Sequence, residues 1–127
     1  RSCDIMLDPF YFGAGITFYE AMAFGIPVVT MPSDQARGKI VSAGYKQMKV
    51  NNAPIAKSPE DYINWCIKYA NNKLLLDSTK KDLKNKAKKY LFNDNEIYKE
   101  YYHFFNEAVK KAKDKNFNEN NCEYTNK

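Results

Sequence analysis

Apolar residues follow two rhythms along this chain. Up to about residue 57 they come in short runs broken by Gly, Pro and Asp, and beyond it they recur every three or four positions. The first run, Ile5, Met6 and Leu7, ends at Asp8-Pro9 and reads as a strand followed by a turn. Gly13-Ala14-Gly15 comes next, three small residues that let a backbone bend tightly and approach a ligand. The run TFYEAMAF over 17–24 is helix-compatible and apolar on nearly every side, which predicts a helix buried against a sheet. Gly25 suits the left-handed residue that stops a helix, and Pro27 follows as a breaker. Val28, Val29 and Thr30 are β-branched and open a second buried strand. Two buried strands joined by a helix predict a right-handed parallel crossover, with ligands gathering beyond the carboxyl ends of the strands.

A second α/β unit is expected over 31–56. Met31-Pro32-Ser33-Asp34 leaves the strand, and a helix over 35–46 would turn Ile40 and Ala43 inward with Val41 and Tyr45 beside them. Gly44 weakens that helix near its end. Ala53-Pro54-Ile55-Ala56 reads as a short third strand at an edge, because Pro54 cannot donate to a ladder. Three helices follow. Ser58-Pro59-Glu60-Asp61 opens the first with a cap, a first-turn proline and two acids against the helix dipole. Its inward stripe is predicted as Tyr62, Ile63, Cys66, Ile67 and Ala70, flanked by Trp65 and Tyr69. A second helix over 75–91 turns Leu76, Leu83, Ala87, Tyr90 and Leu91 to one side and lysines outward. Asn93-Asp94-Asn95 stops it and caps a third, over 96–113. There Ile97, Tyr101, Phe104, Phe105, Ala108 and Ala112 form a wide apolar face, expected to close the flank of the sheet as core. The tail 114–127 has no pattern and reads as disordered.

Composition sharpens this division. All five glycines lie at or before Gly44 and all five prolines at or before Pro59. Residues 1–56 carry a net charge of +1 and residues 57–127 a net +4, so the basic excess sits on the helical part. At 127 residues the chain is one domain's worth. Segments 1–57 and 58–113 are read as two parts of that domain. No initiator methionine opens it, and it reads as the C-terminal piece of a longer protein. No apolar run reaches the length that spans a bilayer. Cys3, Cys66 and Cys122 are widely spaced, without metal-ligand spacing, and read as reduced thiols of a cytoplasmic protein.

The candidate chemistry lies at the glycine turn. The first N–H groups of a helix have no partner inside it and carry partial positive charge, so a glycine approach there suits phosphate. Glu20 is the only charged side chain from Gly15 to Gly25, one turn into the helix, and suits two vicinal sugar hydroxyls. A plainer account competes with this. Thr17-x-x-Glu20 is also the pattern of a capping box, in which each side chain satisfies the other residue's backbone donor.

The run LDPFYFGAGITFYEAMAFGIPVVTMPSDQARGKI resembles the donor-nucleotide motif of two-domain, GT-B-type glycosyltransferases, in which E-A-M-A-x-G-x-P-V-V recurs. Its LDP opening and TMP exit are similar to the protein O-GlcNAc transferase family (glycosyltransferase family 41), with its SPINDLY-like and bacterial relatives. The close likeness covers about residues 4–48. It implies the C-terminal, Rossmann-like half of a GT-B fold followed by three helices. It also implies an inverting, metal-independent transfer of a sugar to Ser or Thr of a protein, with UDP-GlcNAc as the donor and no cofactor. The resemblance places Gly15, Ile16 and Thr17 at the donor diphosphate and Glu20 at the ribose; Gly13, in the same turn, is a further donor-binding candidate, and Arg37 and Lys39, near the start of the next helix, are secondary ones. Animal members have His-Thr-Thr where this chain has Gly15-Ile16-Thr17, which leaves backbone N–H groups and Thr17 to hold the diphosphate. Catalytic base and acceptor site are expected upstream, so no catalytic residue is assigned here.

Two other readings stay open on the residues alone. One is a dinucleotide-binding oxidoreductase, from Gly13-x-Gly15 with Asp34 about twenty residues on, although Phe18 stands where that fingerprint has its third glycine. The other is a helical nucleic-acid-binding module built on the aromatic third helix and the lysines. Against it, the aromatic and basic residues fall on different helical faces. His103, the single histidine, sits among aromatics and reads as structural.

Overall fold

The computed structural model describes residues 3–113, so the tail read as disordered and Cys122 lie outside the described residues. The chain forms two compact units, Arg1–Asn93 and Asp94–Lys127. In the first, β1 (Met6–Leu7) and β2 (Val28–Val29) pair in parallel, with Met6 opposite Val28 and Leu7 opposite Val29. The connection between them is α1 (Ile16–Phe24). A 3₁₀ turn (Ala36–Gly38) and α2 (Ile40–Gln47) follow, then α3 (Pro59–Asn71) and α4 (Lys73–Tyr90). The second unit contains α5 (Glu96–Lys113). Among the described residues the protein is therefore mixed α/β and mainly helical, with two short parallel strands.

The two valines of β2 point to opposite faces, as successive strand residues must, and each anchors a separate core. Val28 packs with Phe18 and Met22 of α1, Val41 and Tyr45 of α2, and Leu83 of α4. Val29 packs with Ala56, with Tyr62 and Tyr69 of α3, and with Leu76 of α4. The long α4 thus serves both cores. Gly25 ends α1 at φ 74°, with its N–H on the Met22 carbonyl and the Ile26 N–H on that of Ala21. A Cβ there would also overlap the Lys80 carbonyl, so this glycine permits both the stop and the close approach of α4.

Several local expectations are met. Ser58 caps α3 by accepting from the Asp61 N–H at 3.2 Å, with Pro59 at the first helical position. Asp94 accepts from the Glu96 N–H at 3.1 Å at the start of α5.

Others are corrected. Only Phe18, Ala21 and Met22 of α1 are buried, while Ile16 and Phe24 are largely exposed, because this helix packs on one side and not on all. The helix expected over 35–46 is divided into the 3₁₀ turn and α2. Within α2, Val41, Ser42, Gly44 and Tyr45 face inward while Ala43 is exposed. The reason is Gly44, where a Cβ would overlap the Phe18 ring, so the face carrying Gly44 is the one that meets α1. The third strand shrinks to a single parallel bridge, Thr30 to Ile55, with Pro54 buried beside it. On α3 the inner face is Tyr62 and Tyr69, with Trp65 and Cys66 half-buried; Ile63, Ile67 and Ala70 are exposed. Tyr62 and Tyr69 stand seven residues apart on one face and pack with Val29 and Ala56, which leaves Ile63, Ile67 and Ala70 on the outer side. Finally, no residue of α5 is buried, and Ile97, Tyr101, Phe104 and Phe105 are all exposed, against the expectation of a core face.

Burial pushes the phenols of Tyr45 and Tyr69 above their ordinary value, and that of Tyr62 up to about 12. The unfolded phenol titrates near pH ~10. Because the folded value is the higher one, the stability that Tyr62 contributes is fully present below about pH 10 and is lost as pH rises through about 12. Urea midpoints measured from pH 8 to 12 should fall over that window. Tyr62→Phe should start lower and fall less steeply.

Candidate functional site

The carboxyl ends of β1 and β2 carry two loops. Because the pairing register places residue 6 opposite 28 and residue 7 opposite 29, the next step brings Asp8 beside Thr30. Asp8 is 4% exposed and both of its carboxylate oxygens are used. Oδ2 accepts from the Thr30 hydroxyl and Oδ1 from the Ala14 N–H, each at 2.6 Å. The Asp8 carbonyl accepts from the Tyr62 hydroxyl of α3 at 3.1 Å. One buried side chain therefore ties the end of β1 to the end of β2 and to the far side of the glycine turn. The turn leaves β1 at Asp8 and is returned to it six residues later.

The consequence is where α1 begins. Held at Ala14, the chain enters the helix at Ile16 with Gly15 as the capping residue, and no side chain caps it. The capping-box reading is thereby overturned: Thr17 lies inside the first turn rather than before it, so its side chain is not at the capping position. Glu20 is exposed, with no hydrogen bond or ion pair among the described residues. The first backbone bond of the turn runs from the Phe18 N–H to the Gly15 carbonyl at 3.1 Å. Among the described residues the N–H groups of Gly15, Ile16 and Thr17 meet no acceptor. A Cβ built on Gly15 meets nothing within 4 Å, so the space in front of these donors is open.

The other sequence candidates fall as follows. Gly13 is buried and gives its N–H to the Arg37 carbonyl at 3.1 Å, so that donor is spent inside the protein. A Cβ at Gly13 would lie 3.0 Å from the same carbonyl, which accounts for a glycine where the two loops touch. Arg37 is thus brought against the glycine turn through its backbone, and its side chain is exposed. Lys39 is also exposed and precedes α2, with its carbonyl accepting from the Ser42 hydroxyl at 2.9 Å. Phe18, at the third-glycine position of a dinucleotide fingerprint, is fully buried, with its ring edge-on to Tyr45 at 5.6 Å.

Sequence reasoning missed Asp8 and Thr30 as the residues that shape the site and took Asp8 only as a turn signal. A signal was present: an acid and a hydroxyl residue stand at equivalent positions just past two strands that pair. A cavity of about 510 Å³ lined by Asn52, Pro54, Trp65 and Tyr69, among others, shares no residue with these loops. Among the described residues no group of three or more His, Cys, Asp or Glu is placed to hold a metal ion, and no helix is long and apolar enough to cross a membrane. Comparison with models of known protein families, and with characterised proteins, finds no match to this chain.

Proposed function

We propose that this chain forms the donor-binding side of a GT-B-type glycosyltransferase, with the two strands and their helices as the Rossmann-like half. The N–H groups of Gly15, Ile16 and Thr17 receive the diphosphate of a uridine-diphosphate sugar, and Glu20 receives the ribose hydroxyls. The observation that carries this reading is the uncapped first turn of α1, held open at the carboxyl end of the parallel strands by Asp8. The three residues with unmet N–H groups are the ones that the resemblance to the O-GlcNAc transferase family assigns to the diphosphate.

The chemistry follows from the geometry. When the sugar leaves, negative charge grows on the diphosphate, and fixed donors at a helix N-terminus stabilise it without reorganising. No metal is required for that step. By the family likeness the sugar is N-acetylglucosamine and the acceptor is a Ser or Thr hydroxyl of a protein.

Titration with uridine diphosphate tests the reading. Amide chemical shifts should move within 13–20 and 30–39 and stay put elsewhere, with weak affinity. No change at millimolar ligand, in a chain shown to be folded, would sink it. Glu20→Gln gives a second measure. With no cap to lose, the melting temperature should hold. A carboxylate accepting from two hydroxyls contributes about 1.5–3 kcal/mol per bond, so nucleotide affinity should drop roughly tenfold to a hundredfold.

A further inference from the structure

Residues 49–54 run from the end of α2 to the bridge at Ile55, and this loop is fixed at both ends. Lys49 lies in the left-handed region at φ 54° and closes α2. Its N–H donates to the Lys46 carbonyl at 3.0 Å, and the Val50 N–H donates to that of Tyr45 at 3.1 Å. Lys86 of α4 reaches across to the Lys49 carbonyl at 3.1 Å. At the far end the Pro54 carbonyl accepts from the Thr30 N–H at 3.0 Å. Between these anchors Asn52 is left-handed as well, at φ 57°. Lys49 and Asn52 are the only non-glycine residues of that kind among the described residues, and such backbone persists where its surroundings hold it.

The loop forms one wall of the cavity of about 510 Å³, and α3 and α4 supply the others. Every lining residue belongs to the first unit, so floor and walls are set within it. Pro54 and Tyr69 are buried. Trp65 is half-buried, with its ring 5.8 Å from that of Tyr69, so part of the indole stays open to the cavity. A fixed wall, an aromatic side and this volume are the properties of a small-molecule pocket.

The polar groups of the lining indicate its ligand. Its two charged residues are both engaged within the protein. The Lys68 ammonium lies over the Trp65 ring at 4.5 Å, and Asp82 is paired with Lys86 at 3.1 Å. Neither charge is left over to select an ion. The amides of Asn51 and Asn52 and the indole N–H of Trp65 meet no partner among the described residues. An amide offers both a donor and an acceptor, the pair that a hydroxyl group needs. Uncharged amides beside an aromatic ring suit a molecule with an apolar C–H face and hydroxyls around its rim.

We propose that this cavity is a carbohydrate-binding site, which takes a neutral mono- or disaccharide with a pyranose ring against Trp65 and its hydroxyls on the amides of Asn51 and Asn52. This inference is independent of the nucleotide reading, and the two sites share no residue.

Trp65 is the single tryptophan of the chain, so its fluorescence reads this cavity alone. The chain is titrated with maltose, cellobiose and methyl β-glucoside to about 100 millimolar, well above the millimolar constants of weak sites. At least one of the three should shift the emission and saturate. Inorganic phosphate and tetramethylammonium, an anion and a cation, should not. Asn51→Ala should weaken the sugar about threefold to tenfold, the loss of one neutral hydrogen bond, as should Asn52→Gly, which keeps the left-handed backbone accessible. Both side chains are exposed, so urea midpoints of the variants should stay at the wild-type value. No saturable change with any of the three sugars would overturn the proposal. So would saturation that both variants leave unaltered, or saturation by phosphate or tetramethylammonium.

Discussion

Tyr45→Phe should lower the unfolding free energy by about 2–6 kcal/mol, although it removes a single oxygen. That oxygen is the hydrogen-bonding partner of both backbone groups of Val28. The Val28 N–H donates to it at 2.7 Å, and the hydroxyl donates to the Val28 carbonyl at 2.9 Å. A phenol here takes the place of a neighbouring strand. Val28 and Tyr45 are both fully buried, so phenylalanine would strand one donor and one acceptor out of reach of water. Each stranded group costs about 1–3 kcal/mol, a large share of the roughly 5–15 kcal/mol that holds a domain of this kind together. The measurement is urea unfolding at neutral pH. A loss under about 1 kcal/mol, too small for two unpaired groups, would show that β2 finds other partners.

Asp8→Ala is the second large effect, and it couples stability to the site. The substitution leaves the Thr30 hydroxyl and the Ala14 N–H without their acceptor, at a cost of about 2–6 kcal/mol. It also frees the glycine turn from the strand ends, so the entry into α1 loses its fixed position and affinity for uridine diphosphate should fall with it. Asp8→Asn separates acceptor chemistry from mere volume. Its carbonyl oxygen still accepts from Ala14, and its NH₂ donates to a Thr30 hydroxyl that can turn to receive it. The cost should then be nearer 1 kcal/mol, with nucleotide binding largely kept. Equal losses for the two variants would mean that the carboxyl group is not what holds the loop.

The candidate site was partly legible beforehand. The glycine turn, the helix start near residue 16 and the exposed Glu20 all belong to one continuous stretch, and small residues before a helix carry their meaning locally. The capping box failed for a reason of the same scale. Ser, Thr or Asp at a helix start competes for the capping position, but here the Asp8 bond to Ala14 sets the entry two residues earlier than Thr17 would. Gly13 was read as a ligand contact because glycine suits both close approach to a phosphate and close approach of two loops. Only the position of Arg37 distinguishes the two.

By itself the sequence determined the order of most elements and several of their ends: the strand that stops at Asp8, the start of the next at Val28, the helix stop at Gly25, and the cap at Ser58. Those signals reside in a few neighbouring residues, through backbone dihedrals, caps and breakers, and need no partner from elsewhere in the chain. Tertiary structure alone decided which side of each helix is inside. It turned α2 by the Gly44–Phe18 contact, set the aromatic face of α3 against the sheet, and left the stripe of α5 exposed. It also decided the bonds that shape the site, which join residues 22 positions apart for Thr30 and Asp8, 17 for Tyr45 and Val28, and 54 for Tyr62 and Asp8. Such pairs form only once strand register and helix packing have brought distant segments together, and no local pattern encodes that distance.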